Sequence, residues 1–329
     1  MNDFTKNITQ ALFNQDKIND LLRHEIQQAV NDLLESELTA FLGYDPYARK
    51  LVHKYHKDVI IYDRKDEKSK KWHSHLSRYN LNQNILFESN KYSFYRMSPF
   101  KFVWLMINRI KSRELSPSDF HSYQLSKMAA NKRRNLFLLK DGYYPLPSEV
   151  DDDMYFQGFF QSPKYFDDIR ATLLKELKPI HHYSSEELAF IRQIDSSESV
   201  CVTIRLGDYL NNSVHQVCTK EYYLKAMRKL KKRKPNCKFF IFSDDIDQAK
   251  KIFDFDFPVI YDSGKMKDYV SLYVMSKCKH FIISNSSFSW WAQYLSKNPE
   301  KIVIAPNKWY ATDVPCDIYE RNWELLNVR

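Results

Sequence analysis

The C-terminal part of the chain alternates short apolar runs with longer polar stretches, and this alternation restricts the fold more than any other feature. Runs rich in β-branched and aromatic residues predict five strands, and the stretches between them predict four helices. The strands fall at 200–205, 238–243, 258–261, 280–284 and 302–305, and the helices at 220–232, 246–253, 268–276 and 290–295. Such alternation predicts an α/β fold with a parallel, doubly wound sheet, whose ligands bind beyond the carboxyl ends of the strands.

The chain is poor in glycine, which excludes two common nucleotide-binding loops. Its 329 residues include five glycines, which stand apart at positions 43, 142, 158, 207 and 264. Average usage of about 7% would give roughly 23. Both the G-x-G-x-x-G turn and the G-x-x-x-x-G-K loop need clustered glycines, because backbone must approach phosphate closely. A nucleotide bound by this chain is therefore held by other means.

Composition predicts a globular, cytoplasmic protein without a metal centre. Apolar residues make up 43% of the chain, and the longest apolar run, at 100–107, is interrupted by Lys101. That run is far shorter than the ~20 residues of a membrane span, and the sequence does not open with a signal peptide. The five cysteines are widely spaced and form no C-x-x-C pair, so we expect reduced thiols and no zinc site.

The positive charge is concentrated in one segment. The formal net charge is +9, with −3 in residues 1–50, +10 in 51–150 and +2 in 151–329. A solvated, lysine-rich surface is the simpler interpretation, and a face for the phosphates of lipid, nucleic acid or an anionic acceptor is the alternative. Neither a stacking platform nor a recognition helix accompanies the charge, so no specific nucleic-acid partner is expected.

Residues 1–48 differ from the rest of the chain. Apolar residues recur there at three- and four-residue spacing and predict an amphipathic helix, which Gly43 and Pro46 end. The first ~49 residues resemble the extreme N-terminus of mutator-type bacterial transposases. The catalytic domain of that family, with its spaced acidic triad, is not detectable downstream, so DNA cleavage is not implied.

Two polar clusters directly follow predicted strands. Arg205 and Asp208 follow the first strand, and the arginine fork suits a pair of phosphate oxygens. Their alternative role is a buried Arg–Asp pair that serves structure alone. Asp244 and Asp245 follow the second strand, where the cap of the next helix is an equally good interpretation for Asp245.

The third cluster is the most informative, because four hydroxyl or amide side chains separate a buried strand from a helix. Ser284, Asn285, Ser286 and Ser287 precede Phe288 and Ser289 and lead into two tryptophans. A strand-to-helix junction of this kind aims backbone N–H groups and the positive end of the helix dipole at one point, an anion site that needs no glycine. A helix cap would account for one of these polar residues and not for the run.

Several motifs of residues 52–329 together resemble glycosyltransferase family 11, the bacterial α-1,2-fucosyltransferases. They are Y-F-Q-G-F-F-Q-S-P-K-Y-F at 155–166, T-I-R-L-G-D-Y at 203–209, F-F-I-F-S-D-D at 239–245, M-S-K-C-K-H-F-I-I-S-N-S-S-F-S-W-W at 275–291 and I-V-I-A-P-N-K-W-Y at 302–310. The resemblance implies a GT-B-like architecture of two Rossmann-like domains with parallel sheets. We accordingly divide the chain into a transposase-like segment at 1–48, an acceptor-side domain at 49–185 and a donor-binding domain at 186–329.

The resemblance also implies a reaction: inverting transfer of L-fucose from GDP-fucose to a hydroxyl of a cell-surface or exopolysaccharide glycan, without a metal ion or other cofactor. Arg205 would contact the donor pyrophosphate and stabilise the charge that grows on GDP. Asp268 would accept hydrogen bonds from the guanine. No general base stands out in the sequence, and Asp208 is a weak candidate for that role. The predicted donor-binding set is Thr203, Arg205, Asp244, Asp268, Ser284, Asn285, Ser286, Ser287, Phe288 and Ser289.

The chain departs from the family pattern in three places. Thr203 and Leu206 stand where His and a second Arg are common, and the G-G-L-G-N-Q-M-F-Q-Y-A strand–turn–helix that opens the family is missing. The acceptor-side domain thus lacks its first βα unit, and residues 1–48 occupy its place. The alternative to an active enzyme is an inactive, truncated remnant that binds GDP without turnover. The basic charge and a lipid-linked acceptor predict peripheral association with the inner face of the membrane, and the oligomeric state is left open.

Overall fold

The computed structural model describes residues 59–62, 78–79, 85–88, 98–146, 155–158, 160–207, 209 and 212–328. Within them, the strands are β1 Val59–Tyr62, β2 Ile85–Glu88, β3 Leu136–Leu138, β4 Tyr155–Gln157, β5 Glu198–Ile204, β6 Cys237–Ser243, β7 Val259–Tyr261, β8 His280–Ile282, β9 Val303–Pro306 and β10 Glu324–Leu326. The helices are α1 Pro99–Glu114, α2 Pro117–Arg134, α3 Arg170–Glu176, α4 Ser185–Asp195, α5 Lys220–Arg233, α6 Ile246–Ile252, α7 Asp268–Ser276 and α8 Ser287–Tyr294. The amphipathic helix predicted at 1–48 lies outside the described residues.

A six-stranded sheet forms the C-terminal part of the chain. Its strand order is β7-β6-β5-β8-β9-β10, and every pair is parallel. The predicted α/β class with a parallel sheet is confirmed. The chain runs outward from β5 to β7 and then returns to the other side of β5, so the order of connection reverses between β5 and β8. The carboxyl ends of those two strands therefore form the topological switch point, the place where doubly wound sheets bind ligands.

Side chains of the central strands alternate between two buried layers. Val200, Val202 and Ile204 of β5 face one cluster together with α5 and α6. Cys201 faces the other cluster, which α4, α7 and α8 cover. A strand whose two faces are both covered needs apolar residues at every position, which is why residues 200–204 read as a continuous buried run.

Two further pairs of parallel strands belong to the N-terminal side. β1 pairs with β2, and β3 pairs with β4. The position of Gly158, directly after β4, does not tolerate a side chain, because a Cβ there would lie 2.9 Å from the carbonyl oxygen of Leu139. Its absence lets the ends of β3 and β4 approach each other.

Helices α1 and α2 each begin at a Ser-Pro step. Ser98 and Ser116 cap them, and in each case Pro occupies the first helical position, where the missing N–H has no consequence. The facing sides of the two helices bury a polar network in which Gln124 donates to Asn108 at 2.7 Å and Asn131 donates to Gln124 at 3.0 Å. This network fixes the pairing of α1 with α2 more specifically than apolar contacts would.

The segment after β4 joins the two parts of the chain. Phe166 stacks on Trp291 at 5.3 Å and meets Trp290 and Tyr294 edge to face. Arg170 donates to the carbonyls of Tyr294 and Ser296 at the end of α8. One buried cluster accordingly contains residues from both sides of position 185, and the domain division at 185 stays a prediction.

Two elements of the sheet differ from the sequence-based expectation. Helix α8 begins at Ser287 and not at residue 290, because Ser286 caps it by accepting a hydrogen bond from the N–H of Phe288 at 3.3 Å. The strand at 302–305 is not the last one, since β10 pairs with β9 at the edge of the sheet. Serines that begin a helix resemble a loop in the sequence, and a three-residue strand gives too short a pattern to detect.

Candidate active site at the strand switch point

Arg205 follows β5 and lies against Asp244, which follows β6. Arg205 Nε is 3.5 Å from Asp244 Oδ2, and the two side chains are 24% and 20% exposed. The other carboxylate oxygen of Asp244 accepts a hydrogen bond from the backbone N–H of Leu206 at 2.9 Å. Asp244 thus holds both the side chain and the backbone of the loop after β5, which keeps the guanidinium at the switch point.

Gly207 leaves room for that contact. A Cβ at position 207 would lie 2.4 Å from Asp244 Oδ2. The glycine in R-x-G-D is therefore required for the close approach of a carboxylate and not for a turn toward phosphate. The Arg–Asp pair that the sequence suggested at 205 and 208 is formed in the structure by Arg205 and Asp244, while Asp208 lies outside the described residues.

The polar run after β8 is buried and bonded internally. Ser284, Asn285, Ser286 and Ser289 are each at most 3% exposed. Ser284 Oγ and Ser289 Oγ lie 2.9 Å apart, and the Asn285 amide donates to the carbonyls of His215 and Trp309, both at 2.9 Å. These side chains hold the start of α8 in place, so the part of the run that can face a ligand is the N-terminal end of α8, where Ser287 and Phe288 lie.

Thr203 connects the two sides of the switch point. Its Oγ1 accepts a hydrogen bond from the N–H of Ser284 at 3.0 Å, and the residue is 4% exposed. Tyr209 adds a second link, because its hydroxyl donates to the carbonyl of Asn285 at 3.3 Å. Arg205 and the start of α8 are consequently placed by the same small set of hydrogen bonds.

Asp268 of the predicted donor-binding set and Asp245, which lies outside that set, both stand at the start of a helix. Asp268 is exposed at the first position of α7, which follows the outer strand β7. The role of Asp268 in the donor site stays a prediction. Asp245 accepts a hydrogen bond from the N–H of Gln248 at 2.8 Å and caps α6, as the simpler interpretation held.

The rings of Tyr209, His215 and Tyr310 form an aromatic wall beside Arg205, which the sequence did not predict. The guanidinium carbon of Arg205 lies 5.5 Å from the ring centre of Tyr209. Tyr209 stacks on His215 at 5.1 Å, and His215 meets Tyr310 edge to face at 5.6 Å. Tyr310 donates to Gln161 Oε1 at 3.2 Å. Gln161 and Tyr310 belong to two of the family-like motifs, but nothing in their spacing indicates that they meet.

The described residues offer no metal centre: nowhere among them do three His, Cys, Asp or Glu side chains come together in a way that could hold an ion. Metal independence of the reaction stays a prediction. None of the described helices has both the length and the apolar character needed to cross a bilayer.

A comparison with protein families identifies the family to which the chain belongs. The model for glycosyl transferase family 11 matches residues 68–327, which is most of the chain. The chain belongs to glycosyltransferase family 11. The resemblance drawn from the sequence motifs is therefore confirmed, and the switch-point residues are those of a family 11 chain.

Individual relatives of this family 11 chain carry related names. An α-1,2-colitosyltransferase of Escherichia coli is 33% identical over 218 residues, or 64% of this chain and 68% of the relative. A galactoside 2-α-L-fucosyltransferase of Caenorhabditis elegans is 28% identical over 194 residues, so this chain matches about half of that relative's length. The crystal structure of POFUT1 in complex with GDP-fucose covers 49% of this chain and 50% of its own, at a TM-score of 0.27 and 13% identity, which does not establish a shared fold.

The N-terminal segment of the family 11 chain has a different relative. The transposase for insertion sequence element IS1201 of Lactobacillus helveticus is 90% identical over 49 residues, which are 15% of this chain and 13% of the transposase. The predicted resemblance to transposases is confirmed. The family 11 match begins downstream of this segment, at residue 68.

Proposed function

We propose that the chain is an α-1,2-fucosyltransferase that transfers L-fucose, with inversion, from GDP-fucose to a sugar hydroxyl of a cell-surface or exopolysaccharide glycan. The observation that supports this most strongly is the placement of Arg205 opposite the start of α8 at the switch point of a family 11 chain. A permanent positive charge and a helix N-terminus that face one point suit a pyrophosphate.

In this proposal the charge that develops on the leaving GDP is the chief target of catalysis. Arg205 stabilises that charge, and the N-terminal end of α8 contributes its partial positive charge to the same phosphates. The ion pair with Asp244 holds the Arg205 guanidinium in one position and keeps it from rotating into solvent. The side chain therefore need not reorient when the bond between fucose and GDP breaks. Neither role calls for a metal ion.

The nucleoside would extend from the switch point along the carboxyl edge of the sheet toward β7. Asp268 begins the helix that follows β7, and its exposed carboxylate suits the N–H groups of guanine. A GT-B-like cleft, with the acceptor bound on the side of β3 and β4, would complete the arrangement. The 33% identical colitosyltransferase makes GDP-colitose the second donor to compare with GDP-fucose.

The rival candidate is a remnant that binds GDP without turnover. It is favoured by one specific observation: the G-G-L-G-N-Q segment is absent from the sequence, and a segment 90% identical to a transposase precedes the family 11 match. The two candidates predict the same GDP affinity and differ only in product formation.

The test combines GDP titration by calorimetry with GDP release from GDP-fucose, using methyl β-galactoside as the probe acceptor. Arg205→Ala should weaken GDP binding by about 10-fold to 100-fold, because a charge-assisted contact to phosphate contributes about 1.5–3 kcal/mol. Arg228→Ala is the matched control, since Arg228 is half exposed and pairs with Asp256 at the surface. Unchanged GDP affinity in Arg205→Ala would overturn the phosphate site. GDP binding by the unmodified chain without any GDP release would favour the remnant.

Two further expectations have simple measurements. GDP release should persist in excess EDTA if the reaction is metal-independent. Peripheral membrane association predicts that the chain sediments with vesicles containing anionic lipid and not with neutral vesicles, and that salt releases it.

A further inference from the structure

Helix α1 turns apolar side chains outward. Phe100 is 88% exposed, the highest value among the large apolar side chains of the described residues, and Val103 and Ile107 are 37% and 39% exposed. Their i, i+3, i+7 spacing places these three side chains on one face of the helix, within about 60° of each other. Met106 and Ile110, which are half-buried, continue the same face. These five residues form the α1 stripe.

The opposite side of α1 carries polar residues, which is the reverse of the usual arrangement. Asn108 and Arg109 are buried there, and Asn108 belongs to the polar network with α2. A surface helix that faces water normally buries its apolar side and exposes its polar side. Because an exposed apolar patch is unfavourable in water, the α1 stripe marks a contact with a partner.

Cations border the α1 stripe along its length. Lys111 and Arg113 lie on α1 to either side of the stripe, as the 3.6 residues of each helical turn place them. Lys111 also forms an exposed ion pair with Glu114 at 2.9 Å. Residues 99–134, which span α1 and α2, contain eight Lys or Arg and two Asp or Glu, a formal charge of +6. The helix pair thus holds more than half of the positive charge that is concentrated in residues 51–150.

More cations lie toward the N-terminal end of the stripe, where the last turn of α2 meets α1. The indole Nε1 of Trp104 donates to Asn131 Oδ1 of α2 at 2.9 Å. The guanidinium carbon of Arg134 lies 4.3 Å from the ring centre of Trp104, and Lys132 and Arg133 beside it are exposed. The α1 stripe therefore has cations near both of its ends as well as along its sides.

An apolar stripe between cations matches the layers of an anionic membrane surface. Apolar side chains are stabilised when they leave water for the boundary of the acyl chains, and Lys and Arg extend back to the lipid phosphates. Each basic residue near a negatively charged leaflet strengthens binding about fivefold. A nucleic acid would engage the cations and leave the apolar side chains in water, because its phosphates dominate binding. The combination of both features favours a lipid surface.

We propose that α1 is a membrane-docking helix. It lies in the plane of an anionic lipid surface, with the α1 stripe among the lipids and the cations of α1 and α2 on the lipid phosphates. The inference rests on the peripheral membrane association that the proposed function includes, and it assigns that association a surface and an orientation. Arg205 and the start of α8, which form the proposed phosphate site, take no part in it.

The first test measures sedimentation with vesicles of phosphatidylcholine that contain phosphatidylserine. Phe100→Ser should weaken partition into these vesicles about 10-fold to 100-fold, the range for burial of a large apolar side chain, and Ile107→Ser about fivefold. Ile252→Ser is the matched control, because Ile252 is 40% exposed and lies in α6 of the donor part. It should bind the vesicles like the unmodified chain. The affinity for GDP should be the same in all four chains, which checks that the variants fold.

The second test reports what covers the α1 stripe. Val103→Cys, labelled with the polarity-sensitive dye nitrobenzoxadiazole, should shift its emission to the blue when anionic vesicles are added, and brominated lipids should quench it. Asp254→Cys, labelled at an exposed position of the donor part, should show neither change. The unmodified chain, treated in the same way, gives the signal of its own cysteines.

Three results would overturn the proposal. The first is equal partition of Phe100→Ser and the unmodified chain. The second is an unmodified chain that does not bind the anionic vesicles. The third is a label at position 103 that is already in apolar surroundings without vesicles, which would show that residues 1–48 cover the stripe or, where the emission varies with protein concentration, that a second copy does. GDP release with methyl β-galactoside needs no vesicle, so it reports separately whether the proposed transfer stands.

Discussion

The close approach of Asp244 to Gly207 predicts that Gly207→Ala lowers the stability of the unmodified chain and raises that of a chain without the Asp244 carboxylate. Gly207→Ala places a methyl group 2.4 Å from Asp244 Oδ2, and the next atom within reach, the carboxyl carbon, is 3.5 Å away. Asp244 must then move off the N–H of Leu206 and off Arg205. A hydrogen bond to a charged group contributes about 1.5–3 kcal/mol, so Gly207→Ala should lower the free energy of unfolding by about that amount.

Asp244→Ala removes the same interactions and should cost about the same 1.5–3 kcal/mol. In the double variant, the two losses in the free energy of unfolding should not add. Once the carboxylate is gone, no other atom of the described residues, apart from the chain neighbours of Gly207, lies within 4 Å of the added methyl group. The backbone of Gly207 does not adopt the left-handed conformation that favours glycine. Gly207→Ala should then stabilise the Asp244→Ala chain by about 0.4–1 kcal/mol, because it restricts the unfolded state.

The assay is urea unfolding followed by tryptophan fluorescence for the four chains of this cycle. GDP titration of the same chains should show weaker binding in each single variant, since Arg205 loses its partner in both. Asp247→Ala, an exposed acid in α6, is the control and should unfold like the unmodified chain. If Gly207→Ala destabilises the chain equally in both backgrounds, the glycine is needed for its backbone conformation, and the reasoning from the close approach is refuted.

Two predictions concern other hydrogen bonds of the sheet. His280, Lys234 and Lys279 bond to Glu198 and lower its pKa to about 2, so its contribution is present above the unfolded-state pKa near 4.5 and is lost as the pH falls toward 2. Glu198→Gln should lower stability at pH 7 and flatten the loss of stability between pH 4.5 and 2 in acid titrations; an unchanged profile would contradict the ion pair. Asn285→Ala leaves the carbonyls of His215 and Trp309 without their donor and should cost about 2–4 kcal/mol in urea unfolding, where a loss below about 0.5 kcal/mol would contradict a structural role for that amide.

The sequence predicted the elements of the main sheet well, because its strands are buried on both faces and its helices begin with recognisable signals. The predicted bounds of α7, 268–276, are those of the structure, and α5 differs by one residue at its end. Strand order could not be predicted in the same way, since pairing such as that of β5 with β8 joins segments that are far apart in the chain. The short strands β2, β3, β4 and β10 were missed because three or four residues do not establish a period.

The candidate site stays a prediction, but the structure shows which of its side chains meet and which are bonded internally. The strand-end rule brought Arg205, Asp244 and the start of α8 to one place. It could not distinguish side chains that face a ligand from side chains that hold the loop, and Ser284 and Asn285 are of the second kind.

The packing of Phe166 on Trp291 limits how the chain can move during a catalytic cycle. Enzymes with two facing sheets commonly close on a donor by rotating about a linker between their halves. In this chain, one buried cluster contains side chains from both sides of residue 185. Arg170 also donates a hydrogen bond to the carbonyl of Tyr294 at the end of α8. A hinge at that point would have to separate stacked rings and expose them to water. Such a separation is costly, so the two parts should unfold in one cooperative step.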